Sequence, residues 1–217
     1  MYNIYRKDLK KANFEGVNFQ KANFQGVDLY GANLKKADLR GANFEGANLI
    51  NANLERANLM GVNLEKAKLN GANLNKASLS RANLKKSDLR KTNLEDAHFI
   101  GANLERANLE GANCKRTCFI EADLKGADLN KANLQGANFG GTNLEGAKLE
   151  GANVMRAYFK GSNLVRTFLI GVEYLSPQQL TKAKTLYGSK LDEELITTLK
   201  KKYPALFEEP KICMLAF

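Results

Sequence analysis

The chain has 217 residues and carries 33 lysines and arginines against 23 aspartates and glutamates, a net charge of +10, with one histidine, three cysteines and no tryptophan. One histidine and no Cys/His cluster at zinc-like spacing exclude the common metal and acid–base centres, so no cofactor, metal or catalytic residue is expected. No stretch approaches the roughly 18 apolar residues of a membrane span, Met1 to Lys11 lacks a signal-peptide core, and scattered cysteines fit a reducing cytoplasm.

The chain opens with Tyr2, Ile4 and Tyr5, which are apolar enough to plug the end of whatever follows. From Leu9 to Leu169 every fifth residue is then Leu or Phe, except Cys114 and Val154, giving 33 positions without a slip. Two residues before each of these, from Ala12 to Thr167, stands Ala, Val, Ser or Thr, and the residue between is usually Asn or Asp; Ala42-Asn43-Phe44-Glu45-Gly46 is a representative unit. On an α-helix this period would wind the leucines around every face. On a flat strand it would throw every second one into water. A corner in each repeat removes the conflict, because the Leu/Phe and the small residue can then both point inward.

Of the 17 glycines before Val172, 16 stand two residues after a central Leu/Phe, where the chain would turn. Lys or Arg occupies the same position fourteen times, which implies that a positive φ is not obligatory there. Phe99, Phe119, Phe139 and Phe159 are spaced by 20, as are Phe24 and Phe44. Asn is constant at 13, 33 and onward to 153, and nearly so at 23, 43 and onward to 163, whereas the two alternate series are mixed. Both patterns predict four sides per coil. At about 4.8 Å per coil, some eight coils make a rod near 40 Å long.

This A-(D/N)-L-x-x pattern over Leu9 to Leu169 resembles the pentapeptide repeat family. The resemblance implies an all-β solenoid, a right-handed quadrilateral β-helix of about eight coils with a short α-helical C-terminal cap. Fold alone does not give function.

All three prolines follow the repeats, which divides the chain into 1–175 (repeat helix), 176–207 (cap) and 208–217 (apolar tail). Ser176-Pro177 reads as an N-cap and first helical residue. Leu180, Ala183, Leu186 and Tyr187 read as one apolar helical stripe stopped by Gly188. Asp192 starts a second helix with Leu195, Ile196 and Leu199 apolar and Lys200 to Lys202 at its favourable end, before Pro204. An open solenoid needs its last layer covered, so the helices are expected over Leu169 and Tyr174. The resemblance makes this cap the surface for a homodimer. The tail, Ile212 to Phe217, would tuck under the cap, mediate oligomerisation or stay loose.

One side departs from the others in its outward residues, which include Met60, His98, Ile100, Cys118, Ile120 and Tyr158. An exposed apolar patch of this kind marks partner surfaces, although β-branched residues also suit a strand face. His98 and Cys118 lack the third group and pocket that catalysis needs, and Cys114 reads as a buried core residue. A basic corner runs through Lys36, Arg56, Lys76, Asp96, Arg116, Gly136 and Arg156, with a second basic group at Arg81, Lys85, Lys86, Arg90 and Lys91. Such rows could bind anions. Interleaved Glu55, Glu65, Glu95 and Glu105, and the lack of aromatics alternating with the basic row, favour a solvated mixed-charge face over nucleic acid.

The function expected is a non-enzymatic rigid scaffold for a protein partner. Two alternatives stand beside it. One is direct binding of nucleic acid or an anionic surface through the basic corner. The other comes from the resemblance: the family's MfpA and Qnr branch mimics DNA and binds DNA gyrase. A net charge of +10 is the wrong sign for a DNA mimic.

Overall fold

The structure, a computed structural model, describes residues 8–210. The expected plug of Tyr2, Ile4 and Tyr5, and the tail Ile212 to Phe217, lie outside the described residues.

Parallel bridges join positions 20 residues apart, beginning Asp8↔Asp28, Asn13↔Asn33, Asn18↔Asp38 and Asn23↔Asn43. Four such series run up four sides. We call them the first (Leu9, Leu29), second (Phe14, Leu34), third (Phe19, Leu39) and fourth (Phe24, Phe44) sides, after their lowest central residues. On the first side the series takes eight steps from Asp8 to Phe168. Each side contributes a single bridge residue per coil, so among the described residues no longer strand forms. The leucines, phenylalanines and small residues of the repeat fill one continuous core, with most at 0–1% exposure. Like aromatics stack as their spacing predicts: Phe99–Phe119, Phe119–Phe139 and Phe139–Phe159 lie 5.3, 5.2 and 5.1 Å apart with nearly parallel rings. Where Thr or Ser replaces the inner Ala, its hydroxyl donates to a backbone carbonyl, as Thr117 does to Leu94 at 2.8 Å and Thr142 to Phe119 at 2.6 Å.

The corners correct one expectation. All 33 corner residues from Lys11 to Gly171 have φ between +52° and +70°, whether or not they are glycine. Every corner from Lys11 to Arg166 closes with an i→i+3 bond, such as Ala37 N–H to Leu34 C=O at 3.0 Å, and this bond with a positive φ at the third residue is the mark of a type II turn. A left-handed lysine or arginine costs roughly 1–2 kcal/mol. The cost is offset because the same N–H bonds the next coil, as Lys36 N–H does to Glu55 C=O at 2.9 Å.

The Asn before each central residue has two roles. Its Oδ1 accepts the N–H two residues on, as in Glu45 to Asn43 at 3.1 Å, which fixes the corner. Its Nδ2 donates to the Asn one coil below. On the second side these bonds chain Asn13, Asn33, Asn53, Asn73 and Asn93 together at 2.9–3.4 Å. The fourth side has a similar run from Asn23 to Asn83. These ladders are why alternate sides keep Asn so strictly.

The C-terminal end differs from the expectation in two places. Helix α1 (Pro177–Leu180) has four residues, and the stripe Leu180, Ala183, Leu186 and Tyr187 is not one helix. The chain instead resumes the solenoid: Ser189 N–H bonds Leu186 C=O at 3.0 Å around Gly188 (φ +65°), and bridges Asn163↔Thr185 and Phe168↔Lys190 carry the ladders past residue 175. The step is 22 residues instead of 20, since α1 is accommodated within it. Ser176 caps α1 with its N–H on Gln179 Oε1 at 2.9 Å, and Gln179 Nε2 donates to the Val154 and Ala157 carbonyls. Helix α2 (Glu193–Lys202) begins after Asp192 as predicted and buries Leu199, and a 3-10 turn (Pro204–Phe207) follows. Leu169 is fully buried. Tyr174 is 65% exposed at a left-handed corner (φ 60°), so the cap does not cover it.

Candidate functional site

The third side carries the outward residues singled out by sequence. Because the bridge slot and the residue after each central Phe both face outward, His98 and Ile100 stand side by side on one coil, and Cys118 and Ile120 directly above them. The bridge His98↔Cys118 and the bond from Gly101 N–H to Ile120 C=O at 2.9 Å fix this register. Ile100 is 42% exposed, His98 is exposed, and Cys118 and Ile120 are half-buried. Glycine at position 140 leaves the patch open above: a Cβ there would sit 3.7 Å from Ile120 Cγ1. Met60 and Tyr158 are exposed on the same side but separate from the patch, Met60 by the coil of Ser78 and Ser80, Tyr158 by that of Asn138 and Gly140. The structure therefore brings together four of the six residues.

His98 has no side-chain hydrogen bond among the described residues, and no group of three potential metal ligands occurs among them. Cys114 is fully buried in the core, and desolvation pushes its thiol far above the usual range. It is a packing residue, not a nucleophile.

The basic corner joins the second and third sides. Lys36, Arg56, Lys76, Arg116 and Arg156 stand in one row, but carboxylates interrupt it. Arg116 Nε reaches Asp96 Oδ1 at 2.7 Å, and its Nη2 reaches Asp96 Oδ2 and Glu95 Oε1 at 2.8 Å. This hydrogen-bonded guanidinium holds the Asp96 carboxyl below its ordinary range, and Lys35 does the same for Glu55 at 2.9 Å. The second basic group is adjacent in sequence but dispersed in space: Arg81, Lys86 and Lys91 occupy three successive corners of one coil. Lys85 pairs with Glu105 at 2.6 Å and Arg90 with Asp88 at 2.7 Å.

The model for pentapeptide repeats matches in eight copies over residues 8–35, 37–75, 77–113, 107–146 and 137–173. The chain belongs to the pentapeptide repeat family. Among solved structures it is similar to HetL, a pentapeptide repeat protein involved in heterocyst differentiation regulation from the cyanobacterium Nostoc sp. strain PCC 7120, at 29% identity over 83% of this chain and 89% of that one, with a TM-score of 0.58. Full-length QnrB1, a plasmid-mediated fluoroquinolone resistance protein, matches at 18% identity over 87% and 95%, with a TM-score of 0.59; that likeness concerns fold alone. No curated protein sequence matches the chain. This pentapeptide repeat protein has no helix, among the described residues, long and apolar enough to cross a membrane.

Proposed function

We propose that the solenoid is a right-handed quadrilateral β-helix serving as a non-enzymatic rigid scaffold for a protein partner in the cytoplasm. The observation that carries this reading is the exposed patch of His98, Ile100, Cys118 and Ile120. It groups four such residues on two successive coils of an outer surface made mostly of Asn, Lys, Arg and Glu, on a backbone bonded coil to coil. A surface of this kind costs little entropy to dock against. Met60 and Tyr158 lie on the same side, where a long partner would reach them. The regulatory role described for HetL fits a protein that works through contacts. A homodimer through α2 and the 3-10 turn is compatible with the scaffold, since it leaves the third side free.

Gyrase modulation of the QnrB1 kind rests on a fold likeness at 18% identity and opposes the charge of +10. Anion binding by Lys36, Arg56, Lys76, Arg116 and Arg156 is weakened by the Asp96 and Glu95 pairing.

The test is capture of a partner from bacterial lysate by the intact chain and by an Ile100→Ser/Ile120→Ser variant. The scaffold reading expects a partner retained in high salt and lost by the variant, with the melting transition unchanged. Equal capture by the variant, or capture abolished by salt alone, contradicts it. A supercoiling assay with purified gyrase checks the second reading: inhibition that excess DNA does not relieve would restore it.

A further inference from the structure

The upper end of the first side holds an arrangement unlike the rest of the rod. Its bridge slots read Lys148, Phe168 and Lys190 on three successive coils, joined by Lys148↔Phe168 and Phe168↔Lys190. An aromatic side chain, 38% exposed, thus stands between two lysines in a column that elsewhere holds Asp, Asn or Lys. Around the corner from the fourth side, Arg166 N–H bonds Tyr187 C=O at 2.9 Å, which brings Arg166 and Tyr187 to the same edge. Gly146, Arg166, Phe168, Tyr187, Gly188 and Lys190 line one shallow open cleft of about 590 Å³. No carboxylate lines it. Lys148, Arg166 and Lys190 form no ion pair with another described residue, unlike Lys85, Arg90 and Arg116. Carboxylates stand around the cleft and not in it: Glu145 and Glu209 line the adjoining depression with Arg166 and Tyr187, Glu145 pairing with Lys125 at 3.0 Å; Asp128 lies one coil below Lys148; and Asp192 accepts Gly171 N–H at 3.3 Å.

We infer that this cleft binds single-stranded nucleic acid, with one base stacked on Phe168 and the flanking phosphates held by Lys148, Arg166 and Lys190. An aromatic face supplies stacking that any base can use, and cations on both sides of it track a phosphate backbone. Alternation of aromatic and basic residues is what the corner of Lys36 to Arg156 lacks. Here it arises only because the last coil returns Lys190 beside Phe168. Small residues open the site: Gly146 and Gly188 lie on its floor, and an added Cβ at Gly188 would approach Arg166 Cγ to 3.2 Å. The site is distinct from the third-side patch and from the basic corner.

The experiment is fluorescence anisotropy of the full chain with a labelled twelve-residue oligothymidylate and with an abasic strand of the same length. Phe168→Asn is the key variant, because Asn48 and Asn108 occupy the same slot lower on the side, so the ladder is preserved. The inference expects the oligothymidylate to bind about tenfold more tightly than the abasic strand, Phe168→Asn to erase that preference, and Phe168→Tyr to retain it. Replacing Lys148, Arg166 and Lys190 by Gln together should weaken both strands and flatten the log–log salt dependence by about 2, near 0.7 for each phosphate lost. Equal binding of the two strands would mean a general polyanion surface and overturn the inference, as would Phe168→Asn binding like the parent. Competition by free thymidylate as effective, per nucleotide, as by the strand would reduce the site to a mononucleotide pocket and also contradict it.

Discussion

The second and third sides share one interior and differ outside. Both bury a column of Leu and Phe, broken on the second side by Cys114 and Val154, against small residues, and both close their corners with the same turn. On the second side the bridge slot is Asn from Asn13 to Asn153, and its amides bond coil to coil. On the third side the same slot reads Asn58, Ser78, His98, Cys118, Asn138 and Tyr158, and that chain of amide bonds is absent among the described residues. A coil therefore stands without the outer ladder on every side. Where the ladder lapses, the slot is released from structure, and it is there that His98 and Cys118 join Ile100 and Ile120 in an exposed patch.

The interior should respond alike on both sides, and strongly. Leu94→Ala on the second side and Phe119→Ala on the third each remove a fully buried side chain, and each should cost about 3–5 kcal/mol in urea unfolding. A large disparity would mean that the two sides do not share one core. Thr142→Val, which deletes the hydroxyl bonded to Phe119 C=O and leaves that carbonyl with the Ala122 N–H alone, should cost about 1 kcal/mol by the same assay.

Grafting sharpens the comparison. His98→Asn with Cys118→Asn would extend an amide ladder to Asn138 and is expected to raise stability by about 0.5–1.5 kcal/mol while abolishing partner capture. Unchanged capture would remove these two residues from the interface. The smallest effect concerns the carboxylates of the basic corner. Asp96 and Glu55 have folded pKa values below the ordinary range, so their contribution is complete above about pH 4 and is lost as the pH falls through the lowered values. Arg116→Gln should reduce that acid-side loss slightly, as read from melting temperature against pH.

Much of this was legible in the sequence. The five-residue period, the 20-residue spacing of Phe99 to Phe159, the N-cap at Asp192 and the grouping of Ile100 with Ile120 all follow from side chains that repeat in register. Three features were not. Lysine and arginine at the corners conceal a uniform left-handed backbone, because at nearly all of them the φ penalty is met by a bond to a distant coil that local propensity does not register. The constancy of Asn was visible, but its bonding lies between residues 20 apart. The last coil was hidden because α1 shifts the step to 22, Ser189 and Lys190 replace the usual Ala and Asn, and Leu180, Ala183 and Leu186 happen to fall at helical spacing.

Asn93 and His98 occupy the same slot on neighbouring sides of one coil, which makes them the sharpest pair to compare. Asn93 accepts Glu95 N–H at 3.2 Å and links Asn73 to Asn113, whereas His98 has no such bonds. Urea unfolding of Asn93→Ala and His98→Ala should give a loss of about 1–2 kcal/mol for the first and less than about 0.5 for the second. Equal losses would contradict the claim that the second side is held by its outer ladder and the third is free to recognise a partner.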